Sequence, residues 1–301
     1  MRRFVRSLEL GLLLGVSAAV GESYHPSNAI PIWPDGAPGE ISQNTGELQP
    51  FRPNENPPVL RVEKISQPLL QVFPCTKRSS GAGVLILPGG GYGKVVTNKE
   101  GSEAALWLNE LGITAFVLSY RTSASSEARP WFRPLQDSQR ALRMIRHRAK
   151  EWNIAPHKIG LLGFSAGGQL AAIHIGDQFP NAYDLKDPID TVSHTPDFAL
   201  LIYPWNVFDT QTGSLKPETS PNTKAPPTFL VHTDDDRSTS LGALGIYAQL
   251  KSLGVSAELH VFHNGGHGYG MRTVPGSDVD TWTDLAGAWL FRRGVGSPRR
   301  D

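Results

Sequence analysis

Short apolar stretches rich in β-branched residues recur along the chain at 59–65, 69–73, 83–87, 114–120, 159–163, 198–203, 228–232 and 257–262. Each is too short for a stable helix and most are bounded by turn-forming residues, so each predicts a strand. Between the later strands the apolar spacing lengthens to three and four residues, which predicts helices over 101–111, 134–152, 166–177, 241–253 and 280–293. In 134–152, Leu135, Ala141, Leu142, Ile145 and Trp152 share one face. Arg140, Arg143, Arg146 and Arg148 occupy the remainder, which reads as a solvated surface. Strand and helix in alternation predict a mostly parallel sheet covered on both faces. The first two strands have no helix between them and are expected to pair antiparallel at one edge. The expected fold class is therefore α/β, with an eight-stranded sheet in one domain over 59–295.

The ends of the chain read differently. Residues 23–58 are rich in Pro, Gly and Asn, lack periodicity, and are expected to form an extended arm across the domain surface. Residues 1–22 begin with Arg2, Arg3 and Arg6 and continue into a short apolar run over 10–20 that ends in small residues. That is the pattern of a secretory signal peptide cleaved after Ala19 or Gly21, although Glu9 stands at the edge of the run. A secreted or periplasmic location is the corresponding expectation. No later stretch is long and apolar enough to span a bilayer.

Composition narrows the function classes. With 29 basic against 28 acidic side chains the net charge is +1, without the Lys/Arg excess of a nucleic-acid-binding surface. The single cysteine, Cys75, can form neither an intramolecular disulfide nor a cysteine-based metal site. Apolar residues at 39% suffice for one large core. The 31 glycines and 24 prolines then belong to turns of a folded domain.

The most informative segment is Gly163-Phe164-Ser165-Ala166-Gly167, in which a strand runs into Gly-x-Ser-x-Gly and a helical pattern follows. A serine at such a turn is forced into a strained backbone with its hydroxyl clear of the sheet, so the residues two before and two after must be small. The following amides and the helix N-terminus then face any negative charge that develops on a substrate. The bland alternative is an ordinary βα turn with a solvent-facing serine.

A serine nucleophile needs a base and an acid that orients the base. The strand at 228–232 runs into Asp234-Asp235-Asp236, and that at 257–262 into His263-Asn264-Gly265-Gly266-His267-Gly268. Both loops fall at the carboxyl edge of the sheet, with Ser165, and in the chain order serine, acid, histidine. Asp236 is favoured as the acid, with Asp235 second. His267, flanked by glycines, suits a loop that carries the ring into a cleft, whereas His263 continues its strand. His260, His263 and His267 have no zinc-motif spacing, so no metal is expected. The loop Pro88-Gly89-Gly90-Gly91-Tyr92-Gly93 follows the strand at 83–87, where esterases of this order carry the donors for a tetrahedral oxyanion. A glycine loop can also cradle phosphate, but no Gly-Lys-Ser/Thr and no Gly-x-Gly-x-x-Gly opening a helix is present, so no nucleotide cofactor is expected.

Together with Pro31-Ile32-Trp33-Pro34-Asp35-Gly36, Tyr120-Arg121, Pro196-Asp197-Phe198 and Tyr203-Pro204, these segments resemble α/β-hydrolases of the bacterial acetylesterase and xylan-esterase type. That group is BD-FAE-like and related to the hormone-sensitive-lipase-like esterases. The resemblance spans roughly residues 31 to 293. It implies Ser165 as nucleophile, His267 as base, Asp236 as orienting acid, and the amides of Gly90, Gly91 and Ala166 as the oxyanion hole. It also implies removal of acetyl or other short acyl groups, often from decorated sugars, through an acyl-enzyme. Tyr92, Tyr203 and Trp205 are candidate pocket walls, each equally readable as core or rim. Three departures stand out: Gln169 where relatives usually carry histidine, Pro88 in place of the first histidine of His-Gly-Gly-Gly, and Arg237-Ser238-Thr239 where many relatives have Pro-Val-Val. The segment between Tyr203 and Thr228 is short and polar, which leaves no room for a large lid and disfavours long-chain lipids. A peptidase of the prolyl-oligopeptidase type shares the fold and triad but normally carries a propeller, which 36 irregular residues cannot build. A binding module that has lost its triad is disfavoured by the presence of Ser165, His267 and the candidate acids.

Overall fold

A computed structural model describes residues 23–297, apart from 77 and 125. The proposed signal segment lies outside the described residues. The main sheet has eight strands: β1 (Ala29–Pro31), β2 (Leu69–Phe73), β3 (Gly83–Leu87), β4 (Thr114–Ser119), β5 (Ile159–Phe164), β6 (Phe198–Ile202), β7 (Thr228–Thr233) and β8 (Ala257–Phe262). Their order in space is β1-β2-β4-β3-β5-β6-β7-β8. β2 pairs antiparallel with both β1 and β4, and the remaining neighbours run parallel. The helices are α1 (Glu103–Glu110), α2 (Phe132–His147), α3 (Ala166–Gly176), α4 (Leu241–Ser252) and α5 (Trp282–Arg292).

Alternation along each strand divides the core in two. On β3, Leu85 and Leu87 face the layer of α2, α3 and α4, whereas Val84 and Ile86 face α1 and α5. Central strands buried on both faces explain why their sequences are unbroken apolar runs.

Two expectations need correction. The predicted strand at 59–65 does not enter the main sheet. Its centre, Arg61–Glu63, lies between Glu47–Leu48 and Val95–Val96 in a separate three-stranded sheet. The edge strand comes instead from the arm, where Ala29, Ile30 and Pro31 pair with Gln71, Leu70 and Leu69. Local alternation identifies a strand but not its partner, and three residues are too few to show a period.

The second correction concerns the arginines of α2. Arg140 and Arg143 are buried, at 1% and 4% exposure, because this face covers the arm and the 177–197 loop rather than water. Arg140 grips Asp187 through two parallel hydrogen bonds of 2.8 and 2.6 Å and donates through Nε to the Ile32 carbonyl at 3.0 Å. Its guanidinium also stacks over Trp33, 5.2 Å from the ring centroid.

Beside it lies a fully buried polar contact. Asp137 accepts hydrogen bonds from the Arg121 Nε (3.0 Å), the Arg121 backbone N–H (2.9 Å) and the Trp33 indole N–H (2.8 Å). Both members of the Arg121–Asp137 pair are fully buried. Removing one partner of such a pair strands the other charge in the core, at about 3–5 kcal/mol. Asp137→Ala is therefore expected to lower the melting temperature by on the order of 10 °C. Adding Arg121→Met should restore part of that loss. A calorimetric shift below about 2 °C for Asp137→Ala would show that the pair is dispensable.

Candidate active site

The carboxyl ends of β3, β5, β7 and β8 converge on one cleft. At the end of β5 the chain turns sharply into α3, and Ser165 at the turn takes φ 53°, ψ −118°, a conformation that costs a non-glycine residue about 1–3 kcal/mol. A Cβ on Gly163 would stand 2.2 Å from the Gly167 carbonyl oxygen, and one on Gly167 would stand 1.9 Å from that of Leu87. The elbow therefore closes only with glycine at both positions.

The Ser165 hydroxyl donates to Nε2 of His267 at 2.7 Å, and Nδ1–H of His267 donates to Oδ2 of Asp236 at 2.6 Å. The second Asp236 oxygen accepts the Ser238 backbone N–H at 2.7 Å. Burial alone would raise the Asp236 pKa, but the hydrogen bonds from His267 and Ser238 and the nearby imidazoles hold it below the ordinary carboxylate value. The competition between adjacent aspartates is thus resolved by geometry. Asp235 turns away and accepts the backbone N–H groups of Gly266 (2.8 Å) and Gly265 (3.2 Å), so it shapes the loop that carries His267. Asp234 is exposed. The three histidines of the β8 region also separate: His260 bonds Glu258 at 3.0 Å, and His263 is exposed.

The glycine loop after β3 faces Ser165, with Gly90 and Gly91 at φ 135° and 64°. Ala166 opens α3, so its N–H lies at the positive end of the helix. The cleft holds about 340 Å³, and its walls include Gly91, Ser165, Trp205, Arg237, Ser238 and His267. Of the three candidate walls, Trp205 lines the cleft. Tyr92 and Tyr203 do not, because both rings are buried. The Tyr92 hydroxyl donates to Oε1 of Gln169 at 2.9 Å, and Nε2 of Gln169 donates to the Asn206 carbonyl at 2.8 Å. Gln169, the departure noted in the sequence, therefore ties the glycine loop to the turn that bears Trp205.

Two contributors have no sequence signal. Glu100 lies in a π-helical turn, Asn98–Ser102, and is 4% exposed. Its carboxylate accepts the Gly89 N–H at 2.7 Å and the Tyr203 hydroxyl at 2.9 Å. The Tyr203 ring packs edge-on against His267, with centroids 5.1 Å apart. Glu100 thus links the glycine loop to the wall behind the histidine, and burial raises its pKa against the pull of those two donors. In Glu100→Gln one acceptor oxygen becomes a donor NH2 facing another donor. The expected result is a kcat lowered by roughly tenfold with KM little changed, since about 1–3 kcal/mol of mismatch falls on the loop. Steady-state kinetics on an aryl acetate, with circular dichroism to confirm folding, checks this. Wild-type kcat would dismiss the link. The other contributor is His232, buried behind the acid with Nε2 3.8 Å from Oδ2 of Asp236. Its Nδ1 accepts the Thr233 N–H at 3.0 Å, and burial lowers its pKa.

With serine, histidine, acid and amide-lined loop on four strand ends, comparison with known proteins is decisive. The profile of the prolyl oligopeptidase family matches residues 134–291, more than half of the chain. The chain is an α/β-hydrolase of that family. The BD-FAE profile matches residues 72–187 of the same hydrolase domain. The hydrolase is 30% identical to an acetyl ester-xyloside bifunctional hydrolase from Caldicellulosiruptor lactoaceticus, over 93% of this chain and 99% of that one, with a TM-score of 0.66. It is 28% identical over 246 residues to an acetylxylan esterase from Xylanibacter ruminicola, covering 74% of this chain and 47% of the relative. It is 30% identical over 207 residues to endo-1,4-beta-xylanase B from Butyrivibrio fibrisolvens, covering 62% of this chain and 32% of the relative. The hydrolase thus spans half or less of the length of the curated relatives it matches. Its fold and type agree with the resemblance drawn from the sequence.

Proposed function

We propose that this hydrolase is a serine carboxylesterase that removes acetyl and other short acyl groups from carbohydrate esters. The observation that carries the reading is the continuous chain from Ser165 through His267 to Asp236, at 2.7 and 2.6 Å. In this reading Ser165 Oγ attacks the ester carbonyl while His267 Nε2 takes its proton. Asp236 holds the imidazole in the tautomer with the proton on Nδ1 and supports the imidazolium. The Gly90, Gly91 and Ala166 amides receive the oxyanion. His267 then protonates the departing sugar oxygen as the C–O bond breaks, freeing the sugar hydroxyl, and water enters by the reverse sequence to release the acid.

The carbohydrate assignment is supported by the names of the relatives and by Trp205, an aromatic wall beside the serine. The deciding experiment measures acetate release from acetylated xylan and from 4-nitrophenyl acetate, and amine release from a prolyl peptide anilide. Turnover of both esters with no detectable anilide cleavage is the expected result. Cleavage of the anilide in preference to the esters would favour a peptidase, which the prolyl oligopeptidase match makes the specific rival. Turnover of the aryl ester alone would remove the carbohydrate.

The basic and apolar character of residues 1–22 supports export of the chain. N-terminal sequencing of protein recovered outside the cytoplasm should begin just after Ala19 or Gly21. An intact Met1 in that fraction would refute cleavage.

A further inference from the structure

One wall of the cleft bears a charge that the acetylesterase reading does not use. Arg237 lines the same cavity as Ser165 and His267 and is exposed. Among the described residues no carboxylate oxygen comes within 4.0 Å of its guanidinium. Its neighbours in sequence are committed elsewhere. Asp235 is engaged by two glycine amides, and both oxygens of Asp236 are taken by His267 and the Ser238 N–H. The backbone that carries Arg237 is itself fixed, because Thr239 N–H closes a turn on the Asp236 carbonyl at 3.0 Å. The guanidinium is therefore a cation on the cleft wall beside the nucleophile, with no carboxylate partner among the described residues. Elsewhere in the molecule arginines that line an internal surface are matched by carboxylates: Arg121 by Asp137, Arg140 by Asp187 and Asp190. A guanidinium carries a planar fork of donors whose preferred partner is a carboxylate held through two parallel bonds.

We propose that Arg237 forms an anion subsite, so that the preferred substrates are acyl esters that also carry a carboxylate. The proposal rests on the esterase reading of the same cleft. The aromatic wall of Trp205 and the supply of a sugar hydroxyl as leaving group point to an acidic saccharide, an acetylated oligosaccharide with a uronic acid residue. The same chemistry is available from a dicarboxylic half-ester, in which the carboxylate sits on the acyl side. Either source presents one negative charge to Arg237 while the ester carbonyl reaches Ser165.

The test compares kcat/KM for two pairs of esters in the wild-type enzyme and in Arg237→Gln. The pairs are acetylated xylotriose with and without a glucuronic acid branch and 4-nitrophenyl succinate against 4-nitrophenyl butyrate, each also set against 4-nitrophenyl acetate as the neutral reference. The expected wild-type preference for a charged member is about tenfold, the size of one charge-assisted pair at a partly exposed site. It should fall to near unity in Arg237→Gln, and also in the wild type near 1 M salt, where the screening length is about 3 Å. Preference in the sugar pair places the carboxylate on the alcohol side, and preference in the succinate pair places it on the acyl side. Wild-type ratios at or below one in both pairs, or a preference that survives Arg237→Gln, would overturn the subsite while leaving the esterase intact. Failure to turn over any of the esters would overturn the esterase reading itself.

Discussion

Ser165→Ala is expected to leave a folded protein with kcat for ester hydrolysis lowered by about 10⁶-fold, the cost of losing a nucleophile from an intact triad. The hydroxyl is replaced by hydrogen, so His267 has no proton to take and no acyl-enzyme can form. The remaining rate would come from the Gly90, Gly91 and Ala166 amides and from substrate binding, which together retain about 10³-fold over water. KM should change little, because the cleft walls formed by Trp205 and Arg237 remain in place. The melting temperature should also stay close to wild type, since alanine occupies the same strained elbow without filling new space. Active-site titration with a fluorophosphonate should fail together with turnover. A variant that keeps kcat within tenfold would remove Ser165 from the mechanism.

The second large effect separates two neighbouring carboxylates. Asp236→Asn replaces the acceptor of the His267 Nδ1–H by an amide that can turn its NH2 toward the ring. The imidazole then settles with its proton on Nε2, facing the Ser165 hydroxyl as a donor when the reaction needs an acceptor. That change lowers kcat by on the order of 10⁴-fold in triads of this kind. Asp235→Asn should cost less than tenfold, because one amide oxygen still accepts from the glycine loop and the His267–Asp236 bond is untouched. Stopped-flow or steady-state rates on 4-nitrophenyl acetate decide between them. A greater loss in Asp235→Asn would reverse the assignment.

These two variants probe the parts of the protein that the sequence made most legible. Gly163-Phe164-Ser165-Ala166-Gly167 lies between a strand and a helix whose limits the apolar pattern gives to within a residue or two. The loops after β7 and β8 are equally clear. Position along the chain and direction across the sheet then suffice to bring serine, acid and histidine to one edge. What the pattern cannot supply is a partner distant in sequence. Arg140 reads as surface because its charge is visible and Asp187, 47 positions later, is not known to face it. Tyr92 and Tyr203 stand beside the site in sequence, yet spacing does not tell which way a ring turns. Both turn inward, one to Gln169 and one to Glu100. Glu100 itself, in a turn ahead of α1, has no motif at all. Its place is fixed by the fold of three separate segments around it.

The edge strand drawn from the arm has a consequence for how copies of the chain behave toward one another. β2 reads Leu69-Leu70-Gln71-Val72-Phe73, an apolar stretch without charge that already pairs with β4 on its inner side. Its outer row of N–H and C=O groups, left open, would be a template for a second molecule and a seed for aggregation. Ala29–Pro31 covers part of that row and presents in its place an edge only three residues long, ending in a proline that has no N–H to offer. The contacts that hold the neighbouring Ile32 and Trp33 to Arg140 and Asp137 thus do more than stabilise one domain: they keep its sheet from growing into the next.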